Sequence, residues 1–591
     1  MRVRLPTSAG DDLVNFTRGV PRASRAYEER CMKPLALYVG LPQTGEDRLA
    51  TLFEINGLST TGHSGGRLAQ EVVFRRLSGS PLGRLFEGYD LIVGLEGKPR
   101  PGRPFLTGYT ELEYLLQCAA NAVLVFNDID QDIWIRSMQL RDNGAAAAFQ
   151  ATWLGVPHEE LPAIWCAQFA KQRARVETAQ DSGARVVVLD ADGSFSDWQD
   201  RLSPWFDLPI VPDGETVSTL SASSVRKDRV IPPDGSPITA LERTTALARH
   251  CLGSVHPAST GGAVFSDIYA EWDGGEKVTR QDGTPFPVRF GQLEGRHGCL
   301  AQPGVKKANR VEGVINEALS SGAASPLRID MQDCRLYGLK HGDIPDAPVL
   351  TYCRRGGAKN VVLWPLPEYH SIGAENFVGA GPCDNVSFED KLDVLFWRGA
   401  LSGHCSNVVE GVFTDEVWRV ADALSTNPEC EDLWELFATC TRVSVLERHG
   451  AVAGIDMKLV SGPSFEWLSK HPRTASLCGR GTKRRGTLRH RYILSMRGYD
   501  TGSNFISAAN SNSVVLKEED GWELFYSPLF RPWESYIPLA PGLHDLEERL
   551  EWARSNPARC KEISAAARDA CRYLASPKWR RLLLRAVAGS I

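Results

Sequence analysis

The chain is expected to be an α/β protein, on three observations. Short apolar strands run into glycine-bearing polar turns and then into helical sequence at residues 34–58 and again at 491–511. A third apolar strand, DVLFWRG, ends in the same kind of turn at residues 393–403. With 591 residues the chain is too long for one core, so two to four domains are expected.

Residues 1–33 form an N-terminal extension, in which MRVRLPTSAGDDLVNF carries basic residues but no apolar signal-type run. From Pro34, PLALYVG reads as a strand, Pro42 and Gly45 mark a turn, and EDRLATLFEI is an amphipathic helix. That is the strand–loop–helix order of a phosphate-binding loop. NAVLVFNDIDQDIWIRSM and ARVVVLDADGSFSDWQDRL repeat the strand-then-helix pattern and complete a unit over residues 34–220. Residues 221–310 are a linker and lead-in: SASSVRKDRVIPPDGSP is rich in Ser, Pro and charge, and GG and DG turns follow it. The helical period returns in VKKANRVEGVINEALSSG, and SPLRIDMQDCRLYGL reads as the first strand pair of a lobe over residues 311–387. The last unit, 388–591, takes in DVLFWRG, the strand RYILSM, the turn RGYDTGSNF, the helix FISAANS, the strand VVLK, an aromatic segment and the helix DLEERLEWARSNP.

Composition narrows the function classes. A net charge of −5 points to no nucleic-acid partner. The 14 cysteines form no CxxC pair, which disfavours zinc and fits free thiols in a reducing compartment. No apolar run approaches the length of a membrane span. The basic run KRRGTLRHR, residues 483–491, offers a peripheral face for anionic lipid, against the plainer reading of a solvated loop.

The two late turns carry the chemistry. Backbone amides at the start of FISAANS, with Arg497 beside them, favour a diphosphate. An arginine at a strand's carboxyl end, as Arg398 is, can hold phosphate oxygens bidentately. The plainer alternatives are an ordinary strand–turn–helix unit and a solvent-exposed loop arginine.

These segments resemble the CAP10-type glycosyltransferases, family 90, which include protein O-glucosyltransferases and bacterial enzymes acting on lipopolysaccharide or capsule. The resemblance rests on Arg497, Gly498 and Ser503, on Ser513–Val515, on Glu523, Phe525 and Tyr526, on the run from Pro532 to Pro538, and upstream on DVLFWRGALSG. It covers residues 311–585. It implies a GT-B architecture of two Rossmann-like lobes, inverting transfer without a metal or resident cofactor, and a nucleotide-sugar donor, a UDP-sugar with glucose or xylose favoured. Donor contacts implied are Arg398, Gly399, Ser402, Arg497, Gly498, Asp500, Ser503 and Asn504. Asp343 falls where the family's aspartate precedes a proline and is the implied base, with Asp346 as the second choice. Many eukaryotic members have arginine where this chain has Asn504, so the sugar is left open. The implied acceptor is a saccharide or glycolipid hydroxyl in surface-polysaccharide synthesis, at the cytoplasmic face of a membrane.

The front unit resembles the P-loop sulfotransferases in strand order, but not in chemistry. Gln43 stands where the motif lysine would be, Glu46, Asp47 and Arg48 replace phosphate-binding hydroxyls, and Asn127 replaces an arginine, although Ser137 remains. Carboxylates in such a loop repel the anion it should bind. A degenerate domain kept for assembly or acceptor binding is expected, with a bifunctional sulfotransferase and a non-enzymatic scaffold as the alternatives.

Overall fold

The computed structural model describes residues 34–61, 66–212, 237–255, 262–322, 326–379, 384–405 and 415–591. The N-terminal extension and residues 221–236 and 256–261 of the expected linker and lead-in lie outside these residues.

The front unit is built on four parallel strands, β1 (Leu35–Tyr38), β2 (Leu91–Ile92), β3 (Ala122–Asp128) and β4 (Arg185–Asp190), in the order β2-β1-β3-β4. Around them run α1 (Glu46–Ile55), α2 (Arg67–Leu77), α3 (Leu112–Cys118), α4 (Gln131–Leu140), α5 (Ala145–Leu154), α6 (Leu161–Asp181) and α7 (Phe195–Leu202). β1 and β3 are buried along nearly their whole length, as apolar strands covered on both faces must be. The core residues of the sheet divide between two clusters, one around Leu37, Leu124 and Trp165 and one around Ala36, Val123 and Trp198.

After α8 (Pro237–Leu252) comes a second sheet, with order β12-β10-β9-β5-β6. Its strands are β5 (Ala270–Trp272), β6 (Val278–Thr279), β9 (Leu327–Ile329), β10 (Val349–Thr351) and β12 (Val361–Leu363). β9, β10 and β12 run parallel, and β5 pairs antiparallel to β9. The lobe expected to begin at residue 311 therefore starts earlier, because β5 hydrogen-bonds to its first parallel strand. Between β6 and β9 lie the hairpin β7 (Val288–Leu293) and β8 (Arg296–Ala301), then α9 (Ala308–Ser321). The hairpin tip, Glu294–Gly295, has positive φ at both residues, the type I′ geometry that a two-residue loop requires.

β11 (Cys353–Arg355) leads towards the third unit, whose five strands are all parallel: β13 (Leu392–Gly399), β16 (Ile455–Leu459), β17 (His490–Ser495), β18 (Val514–Glu518) and β20 (Ile537–Leu539). A short pair, β14 (His404–Cys405) and β15 (Asp415–Glu416), precedes α10 (Val417–Thr426), α11 (Glu431–Ala438) and α12 (Thr441–His449). α13 (Arg484–Thr487), α14 (Phe505–Ala509) and β19 (Trp522–Leu524) follow, then α15 (Leu546–Ser555), α16 (Pro557–Leu574) and α17 (Pro577–Ala588). β19 pairs antiparallel with β11 and ties the third unit to the second, while α17 packs on α8 and α9. The C-terminal helix thus completes the middle lobe, not the last one with which the sequence grouped it.

The front unit is docked on the middle lobe. Arg103 makes a bidentate pair with the buried Glu312 of α9, both contacts at 3.0 Å. Trp153, Phe74 and Leu106 share an apolar cluster with Leu293 and Leu300 of the hairpin. Glu294, at the hairpin tip, sends its carboxyl between Gln150 and Gln168.

Candidate active site

In the third sheet the order β16-β13-β17-β18-β20 reads 2-1-3-4-5 in chain order, so the topology switches between β13 and β17. Open parallel sheets bind ligands in the crevice beyond the carboxyl ends of the two strands at such a point. The segments that leave β13 and β17 there are residues 400–403 and 496–504, the two turns singled out in the sequence.

The two turns interlock. A Cβ on Gly498 would lie 2.5 Å from the Ser402 hydroxyl, and one on Gly403, at φ +121°, would lie 3.1 Å from the Gly498 carbonyl. Gly498 and Ser402 therefore meet. Gly399 ends β13, accepts a hydrogen bond from the Val460 amide at 2.8 Å, and leaves no room for a side chain beside Trp397. Ser503 is exposed at the rim. Asn504 turns inward, donating to the Leu494 carbonyl at 2.9 Å while its own carbonyl opens α14.

The expected arginines are less available. Arg398 spends its guanidinium on Asp456 of β16, with contacts at 2.8 and 2.9 Å, and on the carbonyls of Trp397, Asp456 and Arg480, and its side chain is 17% exposed. In this arrangement Arg398 ties β13 to β16. Arg497 faces the crevice but pairs with the fully buried Glu518 at 3.4 Å and reaches the Thr441 hydroxyl. A residue the sequence reading missed lies between them. Arg442, in the first turn of α12, is buried and donates to the carbonyls of Ala400 at 2.6 Å and Arg497 at 3.0 Å, so it joins both turns. Burial lowers its pKa, yet a guanidinium stays charged, and among the described residues no carboxylate pairs with it.

Asp500 points the other way from its expected donor contacts. Its carboxyl accepts from Tyr352, the Cys334 amide and the Thr501 amide, which makes it a bridge to the middle lobe. Burial pushes its pKa up against the pull of those hydrogen bonds. The same Tyr352 hydroxyl lies 3.0 Å from Asp333, just beyond the carboxyl end of β9. Asp333 is held by Lys307 and Arg310, each at 2.8 Å. Burial raises its pKa, but Arg310 and Lys307 outweigh that and leave it below the ordinary carboxylate range. The Tyr352 hydroxyl thus lies between the Asp500 and Asp333 carboxyls and links the two lobes.

Asp343 is elsewhere. It closes a turn by accepting from the amides of Gly338 at 3.1 Å and Lys340 at 2.7 Å. That turn lies towards the amino ends of β10 and β12, where the Lys359 amide donates to the Gly338 carbonyl and Asn360 donates to the Pro345 carbonyl. Asp346 pairs with Arg328 of β9. The carboxylate linked to the switch-point turns through Tyr352 and Asp500 is Asp333, four residues beyond the carboxyl end of β9.

In the front unit the loop after β1 is held by its own side chains. The Tyr38 hydroxyl is 2.6 Å from that of Thr44, which donates to the Leu41 carbonyl, and Asn127 donates to the Thr44 carbonyl. Arg48 is turned inward onto the carbonyls of Ala191 and Gly193 and stacks on Trp198. Glu46 and Asp47 occupy the first turn of α1, where they complement the helix dipole in place of an anion.

Residues 478–574 match the model of Glycosyl transferase family 90. Over 90 residues, 15% of this chain and 18% of the relative, the sequence is 31% identical to Protein O-glucosyltransferase 3 of Rattus norvegicus. It is 29% identical over 76 residues, 13% of this chain, to Protein O-glucosyltransferase 1 of the same species, of which that covers 19%. It is also 34% identical over 86 residues to Uncharacterized protein 027R of Frog virus 3, 14% of this chain and 9% of that protein. The chain spans less than a fifth of the length of each of these relatives.

Proposed function

We propose that the chain is an inverting glycosyltransferase that binds a nucleotide-diphosphate sugar beyond β13 and β17 and transfers the sugar to a hydroxyl held at Asp333. The observation that carries this reading is the coincidence of the switch-point crevice with the matched family segment, faced by an ionised carboxylate from the neighbouring lobe. The reading takes the two lobes as the halves of a GT-B arrangement with the cleft between them.

The chemistry follows from the residues. Asp333 takes the acceptor hydroxyl proton as that oxygen forms a bond to the anomeric carbon, while the bond from that carbon to the phosphate oxygen breaks and the diphosphate leaves with the electron pair. Tyr352 orients Asp333, and Arg442, Arg497 and the amides of the 497–503 turn supply positive potential to the leaving diphosphate. The names of the relatives favour glucose, and the donor in this reading is a UDP-sugar. The acceptor is a saccharide or glycolipid of a surface polysaccharide. The twelve described cysteines, all free, are compatible with a reducing compartment for such a step.

A thermal-shift and hydrolysis screen of UDP-glucose, UDP-xylose, UDP-galactose and guanosine diphosphate sugars on the full chain tests the proposal. A donor at 100 times its Kd should stabilise the protein by about 2.7 kcal/mol and be slowly hydrolysed. If no nucleotide sugar stabilises the chain at millimolar concentration, the reading fails.

A further inference from the structure

One strongly basic concavity takes no part in the reaction described above. It lies between the first turn of α2, residues 97–106 of the front unit and the Pro303–Gly304 turn of the middle lobe, with a volume of about 390 Å3. Arg67, Lys98, Arg100 and Arg103 line it, and no acidic residue does. Arg103 is engaged by Glu312 and Glu368. Arg67, Lys98 and Arg100 are exposed and have no carboxylate within ion-pair distance among the described residues, and Lys306 adds a further exposed cation beside the Pro303–Gly304 wall.

The groove is built, not incidental. Gly66 has φ +86°, and a Cβ there would lie 2.4 Å from the Lys98 amide nitrogen, so the start of α2 and the 97–106 loop are in backbone contact. Gly97 donates to the Leu106 carbonyl at 2.6 Å and closes the loop on itself. α2 opens onto the groove with no acidic residue in its first turn and no side-chain cap, so its dipole adds to the cations. On the far side of Gly66 and Lys98, the cavity at the β1 loop carries Glu46, Glu96 and Asp142. The β1-loop cavity is therefore lined by three carboxylates along with Lys98 and Arg141, whereas the only charged residues lining the groove are cations.

That wall leads to the candidate active site. Gly304 lies three residues before Lys307, which pairs with Asp333 at 2.8 Å. We infer that the groove is an acceptor subsite that holds an anionic part of a glycan, a saccharide bearing carboxylate or phosphate groups, while a neighbouring hydroxyl reaches Asp333. The inference rests on the transferase reading for the position of the acceptor. A glycan fits better than nucleic acid because the lining contains no aromatic side chain on which a base could stack. The volume falls in the range of small-ligand sites, about 300–1,000 Å3.

The test uses the full chain, hexameric oligogalacturonate as the anionic probe, maltohexaose as the neutral one and a thymidine hexanucleotide as the nucleic-acid control, with binding followed by microscale thermophoresis. The parent should bind oligogalacturonate in preference to both controls, and more weakly as salt is raised. Combined Arg67→Ser, Lys98→Ser and Arg100→Ser should weaken that binding at least about tenfold with stabilisation by a nucleotide sugar unchanged, and Arg67→Lys with Arg100→Lys should restore it. No binding by the parent, equal affinity in the serine variant, or equally groove-dependent binding of the hexanucleotide would overturn the inference. Groove-dependent oligogalacturonate binding by a chain that no nucleotide sugar stabilises would uphold the glycan site and remove the transferase reading, so the two failures are distinguishable.

Discussion

Replacing Glu294 by Gln tests how the front unit is held on the middle lobe. The Glu294 carboxyl is wedged between Gln150 and Gln168, and its Oε2 is buried with no hydrogen-bond partner among the described residues. Burial pushes its pKa from the ordinary 4.5 to about 8, with the two glutamines pulling it down and Glu96 pushing it further up. A raised folded-state value means that the folded chain prefers the proton. The stabilisation is complete below 4.5 and is lost as pH rises through about 8. At ~1.4 kcal/mol for each pH unit between the two values, the loss approaches about 5 kcal/mol, an upper bound because the hairpin tip can swing into water before the full cost is met. Gln carries no charge at any pH and removes that slope. Thermal unfolding at pH 4.5, 6 and 9 should therefore give matching midpoints for Glu294→Gln and the parent at pH 4.5, a variant already ahead by about 2 kcal/mol at pH 6, and the largest gap at pH 9. An equal difference between the two proteins at all three values would refute the argument.

Two further substitutions separate the candidate catalytic groups. Asp333→Asn should lower sugar transfer by about 10²–10⁴ without loss of donor binding, whereas Asp343→Asn, which keeps its turn-capping oxygen, should leave the rate at the parent value; steady-state kinetics on both decides. Because Lys307 and Arg310 hold Asp333 below the ordinary carboxylate range, its activity should be present at neutral pH and be lost only as pH falls below 3.8. Arg442→Met should weaken nucleotide-sugar binding at least about tenfold in a thermal-shift titration, and unchanged affinity would remove Arg442 from the donor site.

The local units of this fold were legible because strand, turn and helix leave marks within some twenty residues. RYILSM followed by RGYDTGSNF formed β17 and its turn, and PLALYVG formed β1. What could not be read locally was which end of a strand faces the crevice and which partner claims a charge. Asp343 and Asp333 are both polar punctuation around short strands, and choosing between them needs the direction of β9 and β10 in the sheet. The partner of Arg398 is Asp456, 58 residues on, brought alongside by the parallel pairing of β13 and β16. Arg442 lies in an unremarkable helical stretch, and it acquires a role because β13 and β17 are neighbours and their turns close over it.

The docking of the front unit bears directly on the candidate active site, through a single carboxylate. Glu312 is fully buried, and its Oε2 accepts both from Arg103 at 3.0 Å and from the backbone amide of Ala301 at 2.8 Å. The first contact anchors the 97–106 loop. The second fixes the chain where β8 ends, six residues before the Lys307 that orients Asp333. A buried charge that loses one partner is far more costly than the intact pair is stabilising, so this arrangement has little tolerance for the front unit being absent. The acidic β1 loop and the basic wall therefore belong to a domain whose docking is coupled, through Glu312, to the Lys307 segment beside Asp333.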